Sequence, residues 1–303
     1  MIRYLLSRIA QSMVVLFIVI TASFFIMKSA PGSPLSQDRQ LDPEVERQLT
    51  ERYHLDKPVT TQYAIYVGRL LQGDLGESIQ QREDVSRIIG DSLPVSLIIG
   101  AQSMIFALLI GVPLGLLAGL KQNTKTDYIA MGFAMIGVSI PNFVLGPLLI
   151  LTLASGLGLF ASGGYTRWSD LLLPSISLGM YYLAYVARLT RGGMLEIVRQ
   201  DWIRTARAKG LPERLVVFRH AIRGAMLPVV SYLGPAFAAV LTGSIVIEKV
   251  FNVPGLGTFF VDAAFNRDYF LVLGVIIVYS TLLVFLNLLV DVIYSLLDPR
   301  VTF

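Results

Sequence analysis

The 303-residue chain has no cysteine, two histidines and two tryptophans, and only 15% of its residues are charged. Without cysteine there is no thiol nucleophile, thiolate metal site or disulfide, but a helical bundle needs none of these, so the absence assigns no compartment. His54 and His220 stand too far apart for an H-E-x-x-H pair, and no histidine shares the depth of the serines in the apolar segments. Neither a zinc centre nor a Ser-His-Asp site is expected. No segment matches G-x-x-x-x-G-K-[ST]; Pro254-Gly255-Leu256-Gly257 lacks the lysine and hydroxyl that would hold phosphate and magnesium. The chain reads as no enzyme, with no catalytic residues, no metal and no cofactor of its own.

What fills the sequence instead is apolar surface: 54% hydrophobic residues and a mean hydropathy of +0.65. Crossing roughly 30 Å of hydrocarbon takes about 20 apolar residues in a helix, which pairs every backbone N–H and C=O internally. Six stretches qualify: residues 9–27, 94–120, 128–153, 171–187, 224–247 and 269–289. The expected fold is an all-α membrane protein, one six-helix bundle. The uncharged run 128–166 is too long for one straight span, and Gly156, Gly158, Gly163 and Gly164 predict a helix followed by a loop or shallow re-entrant piece. Pro174 predicts an irregular start to the fourth span. Gly111, Pro113, Gly115, Pro141, Gly146, Pro147, Gly234 and Pro235 allow close helix contacts and local breaks, for packing or for gating. Arg3 and Arg8 before the first run read as the flank of a retained anchor, because that run is a full bilayer long and Pro31 follows it.

The net charge of +4 points to membrane flanks rather than to nucleic acid. Residues 188–227 hold nine Lys/Arg against Glu196, Asp201 and Glu213, and Arg3, Arg8, Lys121, Lys125 and Arg300 fall on the same side. Basic flanks mark the cytoplasmic face, so both termini are expected there. Residues 28–93 then lie outside as a small cap; Asp42-Pro43-Glu44 starts a helix with Val45, Leu49 and Tyr53 on one stripe, and a second helix follows over 60–71, ending at Gly73. The cap is either a lid on the bundle or a docking surface for an extracytoplasmic partner.

The sharpest local signal is the run DWIRTARAKGLPER at 201–214. Asp201 is expected to cap a short basic helix that Gly210 ends, with another turn over 215–220. Such a helix is a solvated face, a surface for anionic lipid, or a force-transmitting contact with a partner. Gln102, Asn142 and Asn287 are candidate pore-lining residues, with interhelical hydrogen bonding the alternative, and Asp291 is the one carboxylate close to lying within a span.

Taken together, the chain resembles the membrane permease subunit of ATP-binding-cassette importers of the oligopeptide, dipeptide and nickel group. The likeness runs over essentially its whole length: APGSP (30–34), YHLDKP (53–58), GDLG (73–76), KQNTKTDY (121–128), IPNF (140–143), ARLTRGGMLE (187–196), IRTARAKGLPER (203–214), MLPVVSYLGP (226–235), NRDY (266–269) and VDVIYSLLDPR (290–300). The compact N-terminus and large first loop look like the B-type subunit of an oligopeptide importer. The resemblance implies an ATPase-coupling loop at Arg204, Thr205, Ala206, Arg207, Ala208, Lys209, Gly210 and Leu211, which departs from the general Glu-Ala-Ala-Gly motif by Arg204-Thr205-Ala206 and by a longer spacing to Leu227-Pro228. It implies a bacterial inner-membrane location, a homologous second permease, two cytoplasmic P-loop ATPases carrying ATP and magnesium, and an extracytoplasmic peptide-binding protein. Dipeptide, glutathione and nickel are alternative cargoes. An autonomous channel or ion-driven carrier, or a lipid-binding scaffold, would be readings of a different class.

Overall fold

The computed structural model describes residues 2–29 and 42–297. The APGSP segment, the side chain of Asp291 and the closing Asp-Pro-Arg lie outside the described residues. Among those described there is no strand, only one isolated antiparallel bridge between Glu77 and Asp84.

Helix α1 (Ile2–Ser29) is followed by two short helices, α2 (Pro43–Arg52) and α3 (Val59–Leu70). Asp42 caps α2 by accepting the Glu44 N–H at 3.0 Å, with Pro43 at the first helical position, where its missing donor costs nothing. Helix α4 (Val85–Leu120) starts nine residues before the apolar stretch at 94–120 and carries Pro94 and Pro113 inside it. At 1.5 Å per residue it is about 54 Å long, so its first turns, with Arg87 and Asp91, project beyond any hydrocarbon layer.

The third apolar stretch is not one straight helix. Helix α5 (Lys125–Ser139) and helix α6 (Asn142–Leu149), continued by a π turn at Ile150–Gly156, meet at 106°. The cause is local: Ile140 before Pro141 is held extended (φ −104°, ψ 121°), as a residue preceding proline prefers. The break comes well before the glycines that suggested one in the sequence.

Helix α7 (Leu172–Ile197), with a 3-10 turn at Trp168–Leu171 before it, runs ten residues beyond the fourth apolar stretch. It is the axis of the molecule and packs on α4, α5 and α6. Close approach to α4 depends on glycines four apart: a Cβ at Gly111 would lie 2.9 Å from the Leu183 carbonyl oxygen, and one at Gly119 2.6 Å from Met194 Cβ. A short helix, α8 (Asp201–Ala208), is followed by α9 (Glu213–Leu215), a π turn at Val216–Ala221, and α10 (Ile222–Ala225); α10 and α11 (Leu227–Val250) join at a 47° bend. Helix α12 (Leu256–Phe265), which the sequence reading had left inside a loop, precedes α13 (Tyr269–Leu297).

Four helical segments are long and apolar enough to cross a membrane (Ser7–Ser29, Val85–Leu120, Trp168–Ile197 and Tyr269–Leu289), and the two bent pairs bring the count to six if each is one span. The 42–84 region is tied to the bundle at one carboxylate. Buried Asp268 accepts from the Ser78 hydroxyl and from the N–H groups of Ile79 and Gln80 (3.3 and 3.2 Å). Gly76, with φ +86°, lets the same turn sit against the Phe270 ring. GDLG and NRDY, about 190 residues apart in sequence, thus form one joint. Tyr53 and Tyr66 pack beside it, and burial pushes both phenols above their ordinary pKa.

Candidate coupling site

Helix α8 has two unlike faces. Ile203 is fully buried and Ala206 nearly so, packed with Met194 of α7, Val216 and Ala221 of the following π turn, and Ala225 of α10. Leu116 of α4 and Leu211 flank the same cluster. Period 3.6 puts Trp202, Arg204, Thr205, Ala208 and Lys209 outside, and Trp202 is 54% exposed. Of the eight residues assigned to this loop from sequence, Ala206 faces the bundle, Leu211 is half-buried, and the other six are exposed.

The helix begins one residue earlier than anticipated: Gln200 occupies the N-cap without a side-chain bond, and Asp201 is the first helical residue, 3.5 Å from Arg204. The far end is fixed twice. Gly210 takes φ +77°, a left-handed conformation costly for a residue with Cβ, and its N–H bonds the Arg207 carbonyl. Arg207 grips Glu213 through two hydrogen bonds (3.1 and 2.7 Å), which hold its guanidinium above the ordinary arginine pKa.

A buried ion pair absent from the sequence reading joins α5 to α7, one turn before Met194. Asp127 at the start of α5 is 3% exposed and receives Arg191 of α7 in a fork, Nε to Oδ1 at 2.7 Å and Nη2 to Oδ2 at 2.8 Å. Asn123, at φ +60°, adds its N–H to Oδ2. The KQNTKTDY and ARLTRGGMLE segments therefore meet. A second missed carboxylate, Glu248 on α11, is fully buried and accepts the Gly257 N–H at 2.7 Å, while Ser96 accepts that of Leu256. The two cap α12, with the carboxylate at the positive end of the helix dipole.

The three candidate pore residues have separate settings. Gln102 bonds Ser175 (2.9 Å) and the Trp168 carbonyl (3.4 Å), bridging α4 to α7. Asn142 sits at the α5–α6 break with Oδ1 buried and, among the described residues, without a hydrogen-bond partner. Asn287 lies in a cleft of about 240 Å³ shared by α13 with Arg8, Gln11 and Ser12 of α1.

The structure is thus a bundle of apolar helices with a short basic helix packed at one end. The family model described as "Binding-protein-dependent transport system inner membrane component" matches residues 111–303, and "Binding-prot-dependent transport system membrane comp, N-term" matches 1–100. The chain is 45% identical to the oligopeptide transport system permease protein OppB of Salmonella typhimurium and 42% identical to that of Haemophilus influenzae, with all of each chain covered. It is 40% identical to the dipeptide transport system permease protein DppB of Bacillus subtilis, over 99% of this chain and 98% of that one. A solved structure titled as an amino acid ABC transporter with histidines superposes with a TM-score of 0.52 over 71% of this chain and 95% of its own, at 18% identity, and so shares the fold. The chain belongs to the family of binding-protein-dependent transport system inner membrane components. It is a multi-pass permease of an ABC importer and not its catalytic part; ATP hydrolysis and substrate capture fall to separate ATPase and substrate-binding subunits.

Proposed function

We propose that this permease forms half of the translocation pathway of an ATP-driven importer for oligopeptides. The observation that carries the cargo is the 42–45% identity, end to end, with oligopeptide permeases. A dipeptide cargo is the second reading, favoured by the 40% identity with DppB. In this reading the exposed side of α8, from Trp202 to Gly210, docks on one of two cytoplasmic ATPases that bind ATP and magnesium, and the seated side passes their motion into the bundle. Counting each bent pair as one span gives six, with both termini cytoplasmic beside the basic 188–227 segment, and with α2 and α3 forming an outer cap that receives the binding protein. A homologous second permease completes the pathway.

The test is purification from native membranes in mild detergent, followed by reconstitution with the binding protein. Co-purification of a second permease and P-loop ATPases, with ATP-dependent uptake of tri- to pentapeptides, is expected. A homo-oligomer free of ATPase, from membranes where a known importer stays assembled, would overturn the proposal; uptake confined to dipeptides would move the cargo to the second reading.

A further inference from the structure

Helix α7 is the most enclosed of the membrane-length helices. The large side chains that α4 and α13 expose within their apolar stretches are chiefly aliphatic and aromatic, Leu97, Ile105 and Leu109, or Leu283 and Phe285, with Thr281 and Asn287 among them on α13. On α7 half-buried Tyr181 and Tyr185 and exposed Arg188 and Gly192 are spaced i, i+4, i+7 and i+11 along one stripe, which Leu195 and exposed Glu196 continue; Leu172, Ile176 and Leu189 are also half-buried. No large aliphatic side chain is exposed between 172 and 197. A stripe of phenols and a guanidinium within a membrane-length helix is placed to face a hydrated path and not acyl chains.

The stripe is also built. The Tyr181 and Tyr185 hydroxyls are 3.3 Å apart, and their rings are 5.0 Å apart. Tyr232 of α11 stacks on Tyr185 at 5.7 Å and 18°, so two helices contribute to one aromatic wall. Arg188 lies over the Tyr185 ring, its Cζ 5.1 Å from the centroid, and among the described residues it has no acidic partner. This contrasts with Arg191, one turn on, whose charge Asp127 takes up.

Resting on the peptide-importer reading, we propose that this Tyr181–Tyr185–Tyr232 wall with Arg188 at its inner end is a transit site for the peptide backbone, with Arg188 receiving the α-carboxylate. The chemistry suits a cargo whose side chains vary. Flat rings and hydroxyls contact amide groups common to all peptides, and the one unpaired cation meets the one charge every unmodified peptide carries at its C-terminus. From Tyr181 to Arg188 the stripe rises about 10 Å, room for about three extended residues.

The reconstituted transporter tests this with radiolabelled tri-alanine and its C-terminal amide. In R188Q the ratio of tri-alanine to amide uptake is expected to fall about tenfold from the wild-type ratio, the worth of one charge-assisted hydrogen bond, and R188K should recover part of it. A photo-crosslinking residue at Tyr181 should trap the labelled peptide during ATP turnover even where R188Q assembles poorly. An unchanged ratio, as expected if Arg188 merely reaches anionic lipid, or absence of the crosslink, overturns the transit site while leaving the importer intact. Failure of the wild-type complex to import either peptide overturns the oligopeptide reading and this site with it.

Discussion

A carboxylate 3% exposed in an apolar bundle is tolerable only while its charge is matched, and Asp127 has two hydrogen bonds from the Arg191 fork and a third from the Asn123 N–H. Asp127→Ala would strand Arg191, which is 28% exposed, so water softens the cost to about 2 kcal/mol. The melting temperature of the purified protein should drop accordingly, and R191K, which loses the fork geometry but keeps the charge, should drop by less. Equal melting of D127A and wild type would show that the pair carries no stability. Glycines divide in the same residue-level way. Gly119→Ala drives a methyl against Met194 and should cost about 1–3 kcal/mol by overpacking. Gly132→Ala meets nothing within 4 Å and should be neutral or stabilise by up to about 1 kcal/mol, the helix-propensity difference. Thermal melts of the two variants should move in opposite directions or differ plainly in size.

At the scale of the element, α8 separates a packed side from an exposed one within eight residues, and the proposed docking uses the exposed one. Ala206→Asp places a carboxylate in the cluster of Ile203, Met194 and Val216, and should lower melting temperature as well as transport. Trp202→Ala removes an outward ring and should leave stability within about 0.5 kcal/mol while ATPase co-purification falls severalfold. If A206D melts like the wild type, the inward seating of that face is wrong. Only part of this was legible in the chain. The Arg/Ala/Lys composition and Gly210 announced a short basic helix with its stop, but which side faced inward was set by α7 and α10, which no local pattern contains. The α5–α6 break did have a signal, since the residue before Pro141 is biased out of the helical region. Continuous hydrophobicity across 128–153 hid it. Helix α12 was missed because it is only ten residues long, and its N-terminal cap comes from Glu248 and Ser96 rather than from a neighbouring residue.

For the whole molecule, hydropathy located the membrane-length helices, and their ends moved where turns extend into water or into other helices, as in α4 and α7. What no single sequence displays are the joints between distant segments: Asp127 with Arg191, and the 74–81 turn with Asp268. Those joints fix which ends of the helices lie together, and the proposed orientation rests on the charge bias. The absence of cysteine makes this arrangement directly testable, because any single cysteine introduced is the only thiol. Leu71, 83% exposed at the end of α3, and Lys209, exposed at the end of α8, belong to opposite sides in the six-span arrangement. In sealed, right-side-out vesicles a membrane-impermeant maleimide should label L71C at once and K209C only after permeabilisation, and inverted vesicles should reverse the order. Labelling of both from one face would require an even number of crossings between α3 and α8. One of the bent pairs would then enter and leave on the same side, and α8 could not be the cytoplasmic lever while α2 and α3 form an outer cap.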